Sequence, residues 1–236
     1  MPLKEHYIEC TNCNVRFKSI FCELNSDEAQ LLDIAKKCIR HKKGESIFHE
    51  GTYPRGLYCV FNGKIKVTQI GVDGKEQIVH LAKNADVMGY RAILGGDKYS
   101  CSAVALEDSL LCFIPKDVFL SLVEKNSKVA LQVIHLFSKE LKDAEKKITS
   151  IAQRPVKERI AQSLLLLKEC YGLEKDDCTI NISITREEIA NISGTTRETA
   201  IRILFELKED KIIDLPGKKI KILRPDALHR IANVFD

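Results

Sequence analysis

Residues 185–204 read TREEIANISGTTRETAIRIL, and this stretch decides the fold of the C-terminal part of the chain. Thr185 followed three residues later by Glu188 forms a capping box, which predicts a helix that begins at Arg186. Gly194 marks the end of that helix, where a side chain would crowd a partner helix or the backbone needs a positive φ. The stretch therefore begins with a short helix and a tight turn.

A second helix follows the turn. Thr195 and Glu198 have capping-box spacing, so the new helix should begin at Thr196 or Arg197. Apolar residues then recur at helical spacing and should bury one stripe of the helix; they are Ala200, Ile203, Leu204 and Leu207. Two capped helices joined by a glycine turn predict a helix-turn-helix. The simpler alternative is a helical hairpin with solvated charges.

The side of the second helix opposite the stripe is polar near its N-terminal end. In a helix-turn-helix this end meets base edges in the major groove of DNA. Arg can donate two hydrogen bonds to guanine and Glu can accept one from cytosine, so both residue types suit the task. The candidate DNA-binding residues on this helix are Thr195, Thr196, Arg197, Glu198, Ile201 and Arg202.

The segments on either side fit the same unit. Residues 156–171 have amphipathic helical spacing, and residues 211–223 predict a β-hairpin that turns at Pro216-Gly217. A hairpin placed after a helix-turn-helix makes a winged helix. Lys218 and Lys219 at the turn would contact DNA phosphates without reading sequence.

Glycine spacing predicts a different fold in the N-terminal half. Nine of the twelve glycines fall between Gly44 and Gly96, where they separate short runs rich in β-branched and apolar residues. Such runs predict an antiparallel sandwich or jelly roll, with hairpin turns at Asn62-Gly63 and Asp73-Gly74. The predicted strands are 46–48, 57–61, 64–70, 76–81, 100–106 and 109–114.

A heptad-like seam connects the two halves. Apolar residues alternate at spacings of four and three, which predicts one long helix; they are Ala130, Ile134, Phe137, Leu141, Ala144, Ile148 and Ile151. The seam is narrow and the other faces are charged, which favours a parallel helix pair in a homodimer over packing on the chain's own roll. Arg154-Pro155 predicts the end of this helix and a hinge.

Composition limits the compartment. The chain has 236 residues, enough for two domains, and no apolar run reaches the ~18 residues needed to cross a bilayer. The first residues lack the pattern of a signal peptide, and nine cysteines form no secreted disulfide framework. We expect a cytoplasmic protein without a membrane partner. The net charge of +4 does not by itself argue for nucleic acid.

The order of these parts resembles the CRP/FNR family of bacterial transcription regulators. The most specific piece is SGTTRET at residues 193–199 followed by RIL at residues 202–204. The resemblance implies that Arg197, Glu198 and Arg202 contact bases. It also implies a half-site like TGTGA read twice by a symmetric dimer, and RNA polymerase as a partner.

The predicted fold is α+β, with an N-terminal β-roll like that of cyclic-nucleotide-binding domains, a long dimerisation helix and a C-terminal winged helix-turn-helix. Four segments follow from it: residues 1–24 as a Cys-containing arm, 25–126 as the β-roll sensor domain, 127–153 as the dimerisation helix and 154–236 as the DNA-binding domain.

The resemblance also bears on what the β-roll senses. In the nucleotide-binding branch of the family, a Glu holds the ribose hydroxyl and an Arg neutralises the cyclic phosphate. The matching places here, residues 89–92 and 101–103, read GYRA and CSA and lack both anchors. A buried phosphate without a cationic partner is costly, so we expect no cyclic nucleotide. The candidate effector pocket comprises Gly89, Tyr90, Arg91, Cys101 and Ser102.

Cysteines supply another candidate. The oxygen-sensing branch of the family holds a [4Fe–4S] cluster on three N-terminal cysteines and one from the roll, which here implies Cys10, Cys13, Cys22 and Cys112. Four thiolates suit such a cluster, or zinc. Cys22, the implied third ligand, departs from the branch's spacing. Ser19 occupies the position where that spacing places the third cysteine. Core packing and thiol redox sensing are the alternatives. Four other cysteines are interpreted as unremarkable: Cys38, Cys59, Cys170 and Cys178.

Two other classes of function fit less well. A regulatory module that responds to cyclic nucleotides is disfavoured by the missing phosphate anchor. An enzyme on a cupin-like roll would need a His/Glu metal set, but His41, His49 and His80 are scattered along the roll. The sequence therefore predicts a DNA-binding regulator that is not an enzyme and has no catalytic residues.

Overall fold

The computed structural model describes residues 9–233. They divide into two compact units, one that contains residues up to Gln69 together with His80–Lys142, and one that contains Ile70–Val79 together with Asp143 onward. None of the helices within the described residues is long and apolar enough to cross a membrane.

The N-terminal half contains the strands of two four-stranded antiparallel sheets. The strands are β1 (Lys37–His41), β2 (Ser46–Phe48), β3 (Gly56–Asn62), β4 (Ile65–Ile70), β5 (Glu76–Ala82), β6 (Val87–Met88), β7 (Ser102–Ala105) and β8 (Ser109–Pro115). One sheet has the order β1-β8-β3-β6 and the other β2-β7-β4-β5. This confirms the α+β fold with a β-roll, although strands β1 and β6 were not predicted.

One predicted hairpin turn is wrong and the other is confirmed. Asn62-Gly63 does not join paired strands, because β3 belongs to one sheet and β4 to the other. A Cβ at Gly63 would lie 2.1 Å from the hydroxyl oxygen of Ser109, so the chain crosses between the sheets where only glycine fits. Asp73-Gly74 does close the β4–β5 hairpin, with the backbone N–H of Gly71 donating to Lys75 O at 2.9 Å.

Ahead of the roll, a buried arginine organises the segment around residues 10–24. Arg16 donates from Nε to the carbonyl of Cys10 at 2.6 Å and from Nη1 to the carbonyl of Phe21 at 3.0 Å. Its guanidinium also lies 4.2 Å from the ring centroid of Phe17. Charged hydrogen bonds of this kind satisfy backbone carbonyls in a segment with almost no regular secondary structure.

The described residues also contain eight α-helices and a short 3-10 helix at Arg16–Lys18. The α-helices are α1 (Ser26–Ala35), α2 (Tyr90–Gly95), α3 (Lys116–Lys125), α4 (Ser127–Gln153), α5 (Val156–Tyr171), α6 (Arg186–Ser193), α7 (Arg197–Glu209) and α8 (Pro225–Ala232). The predicted long helix is α4, and it ends just before Arg154-Pro155 as expected. A two-stranded hairpin of β9 (Ile213–Asp214) and β10 (Lys221–Ile222) forms the predicted wing.

The close approach of β3 and β8 gives a test of the roll. A Cβ at Gly56 would lie 2.2 Å from the backbone oxygen of Ile114, so Gly56→Ala forces two strands apart. We expect it to lower the free energy of unfolding by ~1–3 kcal/mol, the usual range for overpacking. Gly95→Ala is the control, because a Cβ there meets nothing within 4 Å. Urea unfolding followed by circular dichroism measures both variants, and equal stability would contradict the role given to Gly56.

Candidate nucleic-acid interface

Helix α6 begins as the sequence predicts. The backbone N–H of Thr185 donates to Glu188 Oε2 at 2.9 Å, and the backbone N–H of Glu188 donates to Thr185 Oγ1 at 3.1 Å. This reciprocal pair satisfies two groups that the first turn of a helix otherwise leaves open. Ile189 and Ala190 are buried on the inner face of this helix.

The turn after α6 is held by polar contacts as well as by glycine. Gly194 has φ +64°, a left-handed conformation that side chains disfavour. Its carbonyl accepts a hydrogen bond from Arg159 Nη1 at 3.2 Å. One residue earlier, the hydroxyl oxygens of Ser193 and Ser163 are 2.8 Å apart, so α5 anchors the turn through two side chains.

The second helix begins one residue later than the capping-box spacing implies. Its N-cap is Thr196, whose Oγ1 accepts from the backbone N–H of Thr199 at 3.3 Å. The N–H of Thr195 instead donates to the carbonyl of Ala190 at 3.1 Å and so completes the end of α6. The predicted start at Arg197 is confirmed, but the Thr195–Glu198 capping box is wrong.

Helix α7 separates an apolar face from a polar face. The predicted stripe of Ala200, Ile203, Leu204 and Leu207 is buried. Thr196, Arg197, Glu198 and Arg202 are exposed, while Thr195 and Ile201 are partly buried.

The two arginines of that polar face differ. Arg202 Nη1 lies 2.5 Å from Glu206 Oε1, one turn along the helix, and must leave this ion pair to reach a base. Arg197 has no ion-pair partner within residues 9–233 and is ready to donate to an incoming acceptor.

The wing is joined to the start of α6. The N–H of Lys219 donates to the carbonyl of Pro216 at 3.0 Å and closes the predicted turn. Arg186 Nη2 donates to the carbonyl of Gly217 at 3.1 Å, and the N–H of Ile184 donates to the carbonyl of Lys218 at 3.0 Å. These contacts place the tip of the wing beside the first turn of α6.

Two basic side chains of the wing already face carboxylates. Lys219 forms an ion pair with Glu174, and Lys221 Nζ lies 3.4 Å from Asp176 Oδ2. Hydrogen bonds from Thr179 hold the pKa of Asp176 below its ordinary value, so this carboxylate stays charged. Lys218 is exposed and, within the described part of the chain, has no ion-pair partner. It is therefore the stronger phosphate-contact candidate of the two predicted lysines.

The candidate effector pocket lies in the roll unit, where its two segments adjoin. Gly89 has φ +88° and begins α2, and a Cβ there would lie 3.2 Å from the ring of Tyr99. Ser102 Oγ accepts the backbone N–H of Glu50 at 2.9 Å. Cys101, another residue of the predicted pocket, is partly buried.

Two further residues of this pocket face an acidic side chain. Arg91 Nη1 is 3.8 Å from Glu140 Oε2. Burial, with the nearby Glu140 carboxylate as a further cause, raises the pKa of the Tyr90 hydroxyl. The one cationic group of the predicted pocket is therefore compensated by a carboxylate.

The four candidate ligand cysteines are not assembled. Cys10 and Cys112 are buried and Cys13 and Cys22 are partly buried, but across residues 9–233 no three His, Cys, Asp or Glu side chains could hold a metal ion. Ser19, at the place expected for a third ligand, donates its hydroxyl to the carbonyl of Arg16 at 2.8 Å. As these residues stand they do not fit a [4Fe–4S] cluster or zinc.

Burial also decides the protonation of two of these thiols. It raises the pKa of Cys10 to about 11, against an opposing effect of the Lys36 ammonium, and it raises the pKa of Cys112. Without a metal ion beside them, thiols of this kind stay protonated near neutral pH.

Two family models match the chain in the order that the fold shows. The model for the cyclic nucleotide-binding domain covers residues 38–126, and the model for the Crp-like helix-turn-helix domain covers residues 158–231. A fumarate and nitrate reduction regulatory protein of Vibrio cholerae is 31% identical over 96% of this chain and 91% of its own length. The chain belongs to the CRP/FNR family.

Other CRP/FNR proteins agree with this assignment. Regulatory protein HlyX of Actinobacillus pleuropneumoniae is 31% identical over 94% of this chain and 92% of its own length. A transcriptional regulator of the CRP/FNR family from Eubacterium rectale superposes with a TM-score of 0.75 at 22% identity, over 91% of this chain and 98% of that one. FixK2 of Bradyrhizobium japonicum superposes with a TM-score of 0.75 at 21% identity, over 85% of this chain and 99% of that one. The relatives make this chain a transcription regulator with a helix-turn-helix DNA-binding domain, not an enzyme.

Sequence reasoning missed residues that position this CRP/FNR interface. Arg159 and Ser163 lie on α5, some thirty residues before the turn that they hold. Glu174 neutralises Lys219 from a loop far along the sequence. No local motif marks such long-range contacts, although a polar residue on the buried face of a predicted amphipathic helix, as Ser163 is, signals a buried hydrogen bond.

The wing lysines allow a test of phosphate contact. Lys218→Ala should weaken binding to all DNA sequences alike and reduce the slope of log K against log salt by about 0.9, the value for one lost phosphate contact. The matched control is the double variant Lys219→Ala with Glu174→Ala, which removes an ion pair that carries no net charge. It should leave the slope unchanged. Fluorescence anisotropy over a salt series measures both. A slope lowered only by the paired change would show that Lys219 is the contact.

Proposed function

We propose that the chain acts as a homodimer that binds a palindromic DNA site with TGTGA-like half-sites and regulates transcription in response to a signal received by the β-roll. The observation that carries the proposal is the exposed Arg197-Glu198 pair in the first turn of α7, on a helix whose opposite face is buried. RNA polymerase is the expected partner at the promoter.

Base reading follows from the position of these side chains. The first turn of a recognition helix points toward base edges when the helix lies in the major groove. Arg197 can donate to guanine O6 and N7, and Glu198 can accept from cytosine N4. Arg202 lies further along the exposed face and would exchange its ion pair with Glu206 for a base or phosphate contact. The wing adds Lys218 toward the backbone.

The long helix supplies the dimer argument. Val129 and Val133 on one face of α4 are buried in the core of the roll unit, with Leu136 packed against it. The predicted seam is a different face, and most of it is exposed in the single chain: Ile134 is 56% exposed, Leu141 63% and Ile148 67%. Phe137 is the exception, because its ring packs edge-on against Tyr90. Since the chain's own roll already covers the first face, the seam is free for the same helix of a second copy.

The signal is proposed to be a redox signal. The names of relatives from Vibrio cholerae and Escherichia coli connect them with fumarate and nitrate reduction. In this chain, Arg91 faces Glu140 and provides no free cation for a cyclic phosphate. The alternative, a module that responds to a cyclic nucleotide, is supported by the family model over residues 38–126. Calorimetric titration with cyclic AMP and cyclic GMP separates the two.

The base-reading assignment can be tested by substitution. Arg197→Ala should cost ~1–3 kcal/mol on the cognate site, because a bidentate contact to one guanine per half-site is lost. Glu209→Ala, in the last turn of α7, is the control and should retain the preference. Selection from random duplexes at fixed salt measures both. Recovery of the same motif with the same information at every position by the Arg197 variant would refute the assignment.

The seam assignment has its own test. Leu141→Glu would bury an unpaired charge on each side of the proposed interface, at a cost of several kcal/mol per buried charge. We expect sedimentation to show monomers. Lys142→Glu changes the neighbouring, off-seam residue and should leave a dimer. If the Leu141 variant remains dimeric at micromolar concentration, another surface holds the subunits together.

A further inference from the structure

Three cysteines line up across one sheet of the roll. In the register of β1, β8 and β3, Cys38 lies opposite Cys112, and Cys112 lies opposite Cys59. Directly opposite residues of an antiparallel sheet point to the same face. In the sequence, Cys38 comes 74 residues before Cys112, and Cys59 comes 53 residues before it. Only the fold brings the three residues together.

One of the two neighbouring pairs is in sulfur–sulfur contact. The Sγ atoms of Cys38 and Cys112 are 3.5 Å apart. Cys112 and Cys59 are buried in the same apolar cluster, while Cys38 at the edge strand is partly exposed. A solute that reaches this row therefore meets Cys38 first.

The backbone geometry suits a covalent bond between the pair in contact. Opposite residues in an antiparallel sheet have Cα atoms about 4.5–5.5 Å apart, and disulfides span about 4.4–6.8 Å between Cα atoms. The sulfurs must approach to about 2.05 Å, which rotation of the two side chains can supply without moving the strands.

We propose that Cys38 and Cys112 form a reversible disulfide when hydrogen peroxide reaches the roll. The Cys38 sulfur gives up its proton and attacks one peroxide oxygen, an S–O bond forms as the O–O bond breaks, and the departing hydroxide takes up the proton as water. The protonated Cys112 sulfur then attacks the sulfenic sulfur of Cys38, and an S–S bond forms as the S–O bond breaks. The leaving hydroxide combines with the Cys112 proton as a second water.

The electrons balance in this sequence. Two thiols lose two electrons and two protons, and one molecule of hydrogen peroxide gains them to give two molecules of water. A dithiol reductant reverses the change. The modification uses Cys112, which the family resemblance assigns to a metal group, and it needs neither a metal nor the DNA-binding unit.

The test treats the full-length protein, purified reduced under nitrogen, with one equivalent of hydrogen peroxide. Alkylation of the remaining thiols and peptide mass spectrometry should show two of the nine thiols lost and one cross-link between the Cys38 and Cys112 peptides. Dithiothreitol should abolish the cross-link. DNA binding is measured separately, so failure of the proposed regulatory function would not alter this result.

Matched variants separate the two neighbours of Cys112. Cys59→Ser should retain the Cys38–Cys112 cross-link, and Cys38→Ser should abolish it without creating a Cys59–Cys112 link. The wild-type cross-link map needs no substitution, so it decides the matter even if a variant fails to fold. A Cys59–Cys112 link in the wild type, stable over-oxidation of Cys38 without a cross-link, or no loss of thiols would each overturn the proposal.

Discussion

The hydrogen bond from Arg159 to the carbonyl of Gly194 controls the geometry on which the DNA interface depends. The turn between α6 and α7 needs a left-handed residue, and glycine alone leaves it free to take other conformations. Arg159 and the Ser163–Ser193 contact fix one of them from α5. Helix α7 begins at Arg197, three residues after Gly194, so a change in this turn would move Arg197 and Glu198 together with the start of the helix.

Helix starts and buried stripes could be read from the sequence because they depend on neighbours three or four residues away. The Thr185–Glu188 box and the stripe from Ala200 to Leu207 are local in this sense. The Thr195–Glu198 box failed because a second threonine competes for the same role. Thr195 is held by Ala190 of the preceding helix, which leaves Thr196 as the cap.

Features that depend on long-range pairing were not predictable. Asn62-Gly63 has the composition of a hairpin turn, but composition does not say to which sheet the next strand belongs. Strand β1 was missed because its residues are mostly polar or partly exposed at a sheet edge. Cys38 and Cys59 looked ordinary for the same reason, since only the register of β1, β8 and β3 places them beside Cys112.

Charge compensation in the wing affects how much DNA binding would gain from the proposed pairing of the long helices. Since Glu174 and Asp176 neutralise two of the wing's cations, the wing offers fewer free charges to the DNA phosphates than its lysine content suggests. A single half-site would then be held weakly and released readily as salt rises. In the proposed dimer, the α4 seam would link two such units, and the second DNA contact would become intramolecular, which multiplies affinity without new contacts. The proposed dimer would therefore gain most on a symmetric site, where both units can bind at once.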